Sequence, residues 1–394
     1  MKILIVSERY WPEVGAAPSR LANMAQGLKE KGCDVEVLTG LPNYPKGKIF
    51  EGYRGRLCKK EEHQGIKLFR YWIYATVSRH PIVRVLNMFS FAVMIWLFAF
   101  RIGRIRSYDR VIIQTPTLVV AASAMVIFKK IYGKNCVLNV SDIWPLTAVD
   151  MGAMTKGSRS FKFMSMLERF LYRNSDSILG QSQEILDHIK NFSHKGRLFL
   201  YRNLQQYDIT ETHQRSDTKF KVMFCGMLGV AQDVAGIVKN VPFKELGVEF
   251  HVIGGGKQYE EISDYVKSHS DSNVFAYGFV PKEEITSYVL KMDSSIVPLA
   301  TRIRGAVPSK IYDILPHGVP IIFSGGGEGA DFIHSRNLGA VVAPKDYKGL
   351  AKAIKQLKDL STEEYRQLSQ RCLDVSRKEL NFALQMDNLM EFLE

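Results

Sequence analysis

The sequence is poor in the residues that build disulfide frameworks and metal sites. Its five cysteines are scattered over 394 residues, and no two of them have C-x-x-C spacing. None of its nine histidines belongs to an H-E-x-x-H motif. An odd, dispersed set of cysteines fits a reducing compartment, and the missing spacings exclude the common zinc-site patterns.

The sequence also lacks a convincing membrane span or signal peptide. Its first apolar run, 2–7, is too short for a secretion signal and predicts a buried strand, so we expect a cytoplasmic protein. An uncharged segment, 85–100, has 16 residues, fewer than the roughly 20 needed to cross a bilayer. Two interpretations of it remain open: a helix buried in the core, or a helix that also lies in the membrane interface.

Acidic residues are scarce in the first half of the chain. Residues 1–205 hold 31 Lys and Arg against 15 Asp and Glu, whereas the remainder holds 22 against 25. The whole net charge of +13 therefore originates in the first half. Such a surface attracts anionic lipid, nucleic acid or a phosphorylated substrate, or is merely solvated.

Short β-branched segments alternate with helical segments along the whole chain, which is typical of parallel sheets covered on both faces. The pattern predicts an α/β protein with two Rossmann-like domains, 1–204 and 219–376. A polar linker, 205–218, separates them, and a final amphipathic helix, 377–394, is expected to pack back on the first domain. Ligands of such sheets bind outside the carboxyl ends of the strands, which indicates a cleft between the domains.

The first strand is followed by a loop of small residues that contains Gly15 and leads into a helix. Small residues let a backbone approach a ligand closely, and a helix N-terminus presents free N–H groups to phosphate. The loop is not a G-x-G-x-x-G motif, so an ordinary connecting loop remains the alternative.

Glycine turns end several predicted strands of the second domain. They are Gly226 after the first strand, 254–256 after the next, and Gly278, which is followed by Phe279 and Val280. A later Pro-Ser-Lys sequence, 308–310, opens a helix that carries Asp313. In this order and spacing the motifs resemble the second domain of the family 4 glycosyltransferases, the retaining GT-B class.

The resemblance extends to the first half of the chain, where Asp142 stands in a Ser-Asp-Ile-Trp-Pro turn after a strand. It is closest to the subset that assembles bacterial capsule and O-antigen, which includes N-acetyl-L-fucosamine transferases. The resemblance implies a GT-B fold, with two Rossmann-like, doubly wound domains that face each other across a cleft. The first would bind the acceptor and the second the nucleotide-sugar donor.

The family resemblance also implies roles for individual residues. Asp313 occupies the place of a family glutamate that holds the ribose hydroxyls of the donor, a task that suits a carboxylate. Val280 stands where the family backbone pairs with the nucleobase. Ser309 and Lys310 open the same helix as Asp313 and can bind the diphosphate. The alternatives are a surface acid at Asp313 and a solvated lysine at Lys310.

The sequence departs from the family motif at three positions. The first of the two family glutamates falls on Gly305, and the cations that clamp the diphosphate after the first strand are replaced by Met227 and Gln232. The nearest candidates to bind the diphosphate are Lys310, Arg302 and Arg304. Backbone donors at Gly326 and Gly327, with Glu328, are candidates to hold the transferred sugar.

Catalysis of sugar transfer requires that the leaving diphosphate is neutralised and that the acceptor hydroxyl loses its proton. The chain has no D-x-D pair for a divalent metal, so we expect metal-free transfer without a cofactor, with Lys310 stabilising the departing charge. Asp142 is the candidate acid on the acceptor side, and the alternative is a structural turn aspartate.

These observations favour a retaining glycosyltransferase that moves a sugar, an N-acetylated hexosamine or 6-deoxyhexosamine, from a UDP-sugar to a polyprenyl-diphosphate-linked saccharide. It would attach peripherally to the anionic inner face of the plasma membrane and bind no nucleic acid. Two alternatives remain: a nucleotide-sugar 2-epimerase of the same fold, and a non-enzymatic nucleic-acid-binding protein.

Overall fold

The computed structural model describes residues 1–78, 80–192, 194–206, 212–215 and 219–394, and only the backbone at 81, 84, 102 and 282. The chain forms two compact units. Unit 1 comprises Met1–Asn203 and Phe382–Glu394, and unit 2 comprises Leu204–Asn381. The expected linker, 205–218, lies partly outside the described residues.

Unit 1 contains one sheet in which β1 is central, with strand order β3-β4-β2-β1-β5-β6-β7-β8. Its strands are β1 Lys2–Ser7, β2 Asp34–Gly40, β3 Cys58–His63, β4 Ile66–Tyr71, β5 Arg110–Gln114, β6 Asn135–Val140, β7 Ser177–Gly180 and β8 Arg197–Leu200. Its first helices are α1 Ala16–Glu30, α2 Pro81–Ala99, α3 Ile102–Arg106, α4 Leu118–Met125 with a π-helical turn Val126–Ile131, α5 Leu146–Asp150, α6 Arg159–Asn174 and α7 Gln183–Lys190. Neighbouring strands are parallel except for the antiparallel pair β3 and β4.

Unit 2 contains a second sheet, in which the described strands are all parallel, with order β11-β10-β9-β12-β13-β14. Its strands are β9 Phe220–Cys225, β10 Val248–Ile253, β11 Val274–Gly278, β12 Ser294–Pro298, β13 Ile321–Ser324 and β14 Gly339–Val342. Its helices are α8 Val234–Asn240, α9 Phe243–Leu246, α10 Tyr259–Ser268, α11 Lys282–Val289, α12 Lys310–Ile314, α13 Glu328–Ser335, α14 Tyr347–Lys358 and α15 Thr362–Glu379. The last helix of the chain, α16 Phe382–Leu393, returns to unit 1.

The central strands are buried almost without interruption, as parallel strands covered on both faces require. In β1 every residue after Lys2 is buried, and β2 is buried from Val35 onward. Such runs of apolar residues made these strands recognisable in the sequence. Strand β3 was missed because its sequence, Cys-Lys-Lys-Glu-Glu-His, is almost wholly polar and lies at the sheet edge.

The expected final helix is corrected at its start. Residues 377–379 belong to α15, and α16 begins at Phe382. Leu380 caps the end of α15 and is buried. Because the apolar spacing continues through this residue into α16, the sequence does not reveal the turn between the two helices. In α16, the Gln385 side chain bonds the backbone N–H of Arg202 (2.9 Å) and its carbonyl (3.0 Å) in unit 1.

The segment 85–100 belongs to α2, which begins at Pro81, a residue suited to a first helical position. One face of α2, including Phe91, Ile95 and Phe98, lies in the core of unit 1. The opposite face is exposed, so the interpretation of a helix buried on all sides is wrong. We call this the outer face of α2, and it consists of Ile82, Val85, Leu86, Phe89, Val93, Trp96 and Leu97, followed directly by Phe100.

Arginines flank this segment in the sequence, with Arg79 and Arg84 before it and Arg101, Arg104 and Arg106 after it. Arg79 lies outside the described residues, as does the side chain of Arg84. Within the part of the chain that the structure describes, no helix is both long and apolar enough to cross a membrane.

Candidate functional site

The residues expected to bind the donor lie along one edge of the unit 2 sheet, where its parallel strands end. Gly226 follows β9, and Val280 comes shortly after β11. Arg302 and Arg304 follow β12, and the turn containing Gly326 and Gly327 follows β13. The carboxyl ends of parallel strands meet at one edge, which is where ligands of doubly wound sheets bind.

The centre of this edge is formed by Gly226 and Lys310, which come from distant parts of the sequence. The Lys310 side chain lies against the Gly226 backbone: an ideal Cβ at Gly226 would overlap Lys310 Cε and stand 3.0 Å from Nζ. Gly226 also has a φ of 149°, which disfavours other residues. The ammonium group is thus held directly beside the turn that follows β9.

Asp313 lies about one helical turn after Lys310 on α12 and is close to Cys225, at the end of β9. Its Oδ1 accepts a hydrogen bond of 3.1 Å from the amide Nε2 of Gln205. Burial raises the pKa of the Cys225 thiol at the end of β9, while the nearby Lys310 charge lowers it and Asp313 raises it. A cation and a carboxylate therefore both act on the end of β9.

The glycine turns at this edge interlock through their backbones. The N–H of Gly226 donates to Ile253 (2.9 Å), and the N–H of Gly254 donates to Gly278 (2.7 Å). A Cβ at Gly254 would overlap the carbonyl oxygen of Gly226, and one at Gly256 would stand 2.6 Å from the carbonyl oxygen of Leu228. These close approaches leave no room for side chains, which explains the glycines in structural terms.

The turn after β13 brings Arg302 close to the predicted sugar-binding residues. Arg302 Cδ would stand 3.9 Å from a Cβ at Gly326. Gly327 caps α13 with a φ of 77°, and no side chain caps this helix.

Lys310 is the first residue of α12, which comprises five residues and continues into a 3-10 turn, Leu315–His317. Ser309 precedes the helix without a side-chain capping bond. Met227, where the family has a cation, is 61% exposed, and Phe279 beside Val280 is 80% exposed. Apolar surface thus borders the edge on both sides of Gly254.

Gly15 and Asp142 lie in unit 1, at the carboxyl edge of its sheet. Gly15 precedes α1 as its cap, with a φ of 156° and no side-chain capping bond. The first N–H groups of this 15-residue helix, at Ala16 and Ala17, are directed to this edge without helical acceptors. Ala16 and Ala17 are the small residues at this helix start, and phosphate binding by the loop at Gly15 stays a prediction.

Asp142 is half-buried next to a buried arginine that the sequence reasoning overlooked. Burial raises the pKa of the Asp142 carboxyl, and the nearby charge of Arg20 opposes this rise. Burial lowers the pKa of Arg20 to about 10, so its guanidinium remains charged at neutral pH. The Arg20 Nη2 donates to the hydroxyl of Ser141 at 2.6 Å. This pairing fixes the turn that carries Asp142.

Further polar side chains hold the same turn. The Ser141 hydroxyl donates to the carbonyl of Thr115 (3.1 Å) and accepts from the amide of Gln114. The amide of Asn139 donates to Gln114 at 2.7 Å. The available sequence signal was Arg20 itself, because it stands on the buried face of α1 with Leu21 and Met24, a position where a charge needs a partner.

Two family models match the chain. The model "Glycosyl transferase 4-like domain" matches residues 15–197, and "Glycosyl transferases group 1" matches residues 219–359. A probable glycosyltransferase, WbjE of Pseudomonas aeruginosa, is 23% identical over 244 residues; the match spans 58% of this chain and 61% of that protein.

Solved structures agree over the entire chain. Sucrose-phosphate synthase from Thermosynechococcus elongatus has a TM-score of 0.71 at 14% identity, over 100% of this chain and 98% of that one. Anabaena Alr3699/HepE in complex with UDP has a TM-score of 0.70 at 14% identity, over 100% and 99%. Since the two family models together match more than half of the chain, and each unit is a Rossmann-like α/β domain, the chain belongs to the glycosyltransferases of the GT-B fold.

Proposed function

We propose that this glycosyltransferase moves a sugar from a UDP-sugar to a lipid-linked saccharide in the assembly of a bacterial surface polysaccharide. The observation that carries the donor half of the proposal is the contact of Lys310 with Gly226, with Asp313 on the same helix. The Anabaena protein of similar fold was solved with UDP, and the Pseudomonas relative, 23% identical, is a probable glycosyltransferase.

In the proposed donor site, Lys310 binds the diphosphate and Asp313 accepts hydrogen bonds from the ribose hydroxyls. Val280 pairs with the base through its backbone, and exposed Phe279 adds apolar surface beside it. Arg302 and Arg304 supply further positive charge after β12. The sugar, an N-acetylated hexosamine or 6-deoxyhexosamine, is held by Gly326, Gly327 and Glu328.

The proposed transfer retains the anomeric configuration and uses no metal ion. The bond between the sugar and the diphosphate breaks, the acceptor oxygen forms the new bond on the same face, and the leaving diphosphate takes the acceptor proton. Lys310 stabilises the charge that develops on the diphosphate. Asp142, with its raised pKa, orients the acceptor hydroxyl from unit 1.

We further propose that unit 1 docks on the anionic inner face of the plasma membrane through the outer face of α2. An exposed face that contains Phe89, Val93 and Trp96 has the composition of an interfacial helix. Arg101 and Arg106 lie exposed directly after it and can meet lipid phosphates. Arg104 is committed elsewhere, because both oxygens of the buried Glu36 carboxylate accept from its Nη1 at 2.7 and 2.8 Å.

The proposal is tested by incubating the purified protein with a panel of UDP-sugars and a polyprenyl-diphosphate-linked saccharide. Transfer of a labelled sugar to the lipid, with retained configuration by NMR, is the expected result. Epimerised UDP-sugar without any lipid product would instead indicate a 2-epimerase. If no UDP-sugar binds in calorimetry, the donor assignment is wrong.

A further inference from the structure

Unit 1 contains two adjoining open cavities away from the polar cluster around Asp142. Their volumes are about 520 and 510 Å³, within the roughly 300–1,000 Å³ of typical ligand pockets. Both are formed between a loop, 41–57, and the segment 72–75 that follows β4. Ile49, Arg54 and Trp72 line both cavities, so we treat them as one site, the loop cavity.

The walls of the loop cavity are held together at both ends by backbone contacts. At one end, the N–H of Trp72 donates to the carbonyl of Leu57 at 2.8 Å. At the other end, Gly47 approaches the backbone so closely that a Cβ there would stand 2.7 Å from the amide nitrogen of Val77. The buried carboxylate of Glu13 fixes the start of the loop, because it accepts the N–H groups of Asn43 (2.8 Å) and Tyr44 (2.7 Å).

The lining combines cations with exposed aromatic rings. Lys48, Arg54 and Arg56 are exposed, and within the described residues none of them forms an ion pair. The Arg54 Nε donates to the carbonyl of Ile49 at 3.2 Å, which orients its guanidinium within the cavity wall. Trp72 is 37% exposed and Tyr74 is 38% exposed. Guanidinium groups match the geometry of phosphates, and aromatic faces offer flat apolar contact to sugar rings.

The loop cavity adjoins α2. The N–H of Tyr74 donates to the hydroxyl of Ser90 at 2.9 Å, and the amide of Asn87 donates to the Tyr74 carbonyl at 2.7 Å. The wall that contains Trp72 and Tyr74 is therefore tied to the helix whose outer face is apolar. A ligand with an anionic, sugar-bearing end and a long apolar chain would satisfy both surfaces at once.

We propose that the loop cavity binds the diphosphate and first sugar of the lipid-linked acceptor, whose polyprenyl chain remains in the bilayer beside α2. The inference rests on the proposed function, because it presumes a polyprenyl-diphosphate acceptor. Lys48, Arg54 and Arg56 bind the diphosphate oxygens, and Trp72 packs against the sugar ring.

The test measures binding of undecaprenyl diphosphate, incorporated in neutral-lipid nanodiscs, to the full-length protein. The variants are Lys48→Ser and the double variant Arg54→Ser/Arg56→Ser. Each loss of a charge-assisted contact is expected to weaken binding about tenfold. Arg159→Ser, an exposed arginine at the start of α6, removes the same charge outside the loop cavity and should bind as the wild type does. The thermal unfolding midpoint and the far-ultraviolet circular dichroism of each variant verify that unit 1 is folded, because the variants lie in unit 1 and the proposed UDP site lies in unit 2.

Two results would overturn the inference while the proposed function stands. One is an undecaprenyl diphosphate affinity that is the same in the cavity variants and the wild type. The other is inorganic pyrophosphate that competes as strongly as the lipid, which would make the loop cavity a site for free diphosphate. A wild-type protein that binds UDP, but neither binds undecaprenyl diphosphate nor glycosylates the polyprenyl-diphosphate-linked saccharide, would instead refute the acceptor in the proposed function, and the inference with it.

Discussion

The Lys310 side chain occupies the space that a side chain at Gly226 would need, although the two residues belong to different strand-helix segments of unit 2. The glycine therefore has two functions: it permits the backbone conformation after β9, and it admits a lysine to the edge of the sheet. The contact of these two residues thereby brings a positive charge and a glycine backbone together at the edge of the sheet.

Replacing Lys310 should separate phosphate binding from nucleoside binding. We expect Lys310→Ala to weaken the binding of UDP markedly and the binding of uridine little, since the ammonium acts on phosphate. Asp313→Ala should weaken the binding of both ligands, by about 1.5–3 kcal/mol in binding free energy, because charge-assisted hydrogen bonds are lost. Isothermal titration calorimetry measures each affinity, with Asp264→Ala on the exposed face of α10 as the control. Equal losses of UDP and uridine in Lys310→Ala would contradict the role of the lysine.

Gly226→Ala should reproduce the binding defect of Lys310→Ala although the lysine itself is not mutated. The new Cβ displaces the lysine side chain and strains a backbone with a φ of 149°, at a cost of about 1–3 kcal/mol in the free energy of unfolding. Gly255→Ala is the matched control, because no atom lies within 4 Å of a Cβ at that position. Chemical denaturation and UDP titration should both distinguish the two variants. Indistinguishable variants would show that the contact has no consequence.

The pH profile of transfer should report on Asp142. Burial raises its pKa, so the carboxylate forms at higher pH than in an ordinary aspartate, and activity that needs it falls as the pH drops through that raised value. Arg20→Leu removes the charge that opposes the rise and should move this acidic limb to higher pH, whereas Arg20→Lys should leave it nearly in place. Asp142→Asn should lose the limb together with most of the turnover. A limb that stays unchanged in Asp142→Asn would exclude the residue from the step.

Metal independence is tested by turnover in excess chelator. The expectation rests on the absent D-x-D pair and on Lys310 beside the diphosphate site. Turnover should persist in EDTA, measured under single-turnover conditions so that product release does not enter. If turnover is lost completely in EDTA and added magnesium or manganese restores it, then a metal ion, rather than Lys310, neutralises the leaving group.

Vesicle flotation tests the docking of unit 1. The wild type should float with anionic vesicles and not with neutral ones, and salt should release it because screening weakens exposed charges. Arg101→Ser/Arg106→Ser removes about 1 kcal/mol per residue of attraction, and Val93→Ser/Trp96→Ser removes apolar contact; both should float less than Arg159→Ser.

Arg104 is left intact in this experiment for a structural reason. Its removal would take from the buried Glu36 carboxylate the guanidinium whose Nη1 donates to both of its oxygens and would leave, among the described residues, only Tyr108 and Lys2 beside it, which is expected to destabilise the fold. A wild type that remains at the bottom of the gradient with both vesicle types at low salt would refute docking.

Much of the fold could be predicted because its signals are local. Buried strands such as β1 and glycine turns such as 254–256 are visible in a few consecutive residues. The Arg20–Ser141 bond joins residues that are 121 positions apart, and no local pattern specifies that pairing. The outer face of α2 was undecided for a similar reason: Phe91 and Val93 look alike in sequence, but one packs in the core and the other does not.

The hydrogen bonds from Asn87 and to Ser90 have a geometric consequence for the proposed docking of unit 1 on a membrane. They join the wall of the loop cavity to α2, so in the proposed docking the height of that wall above the bilayer midplane depends on how deeply the helix inserts. The depth of α2 in the bilayer would then determine the height at which the loop cavity binds its substrate. A thicker or thinner bilayer would carry helix and cavity along together, and the diphosphate layer would stay at the same level relative to the protein.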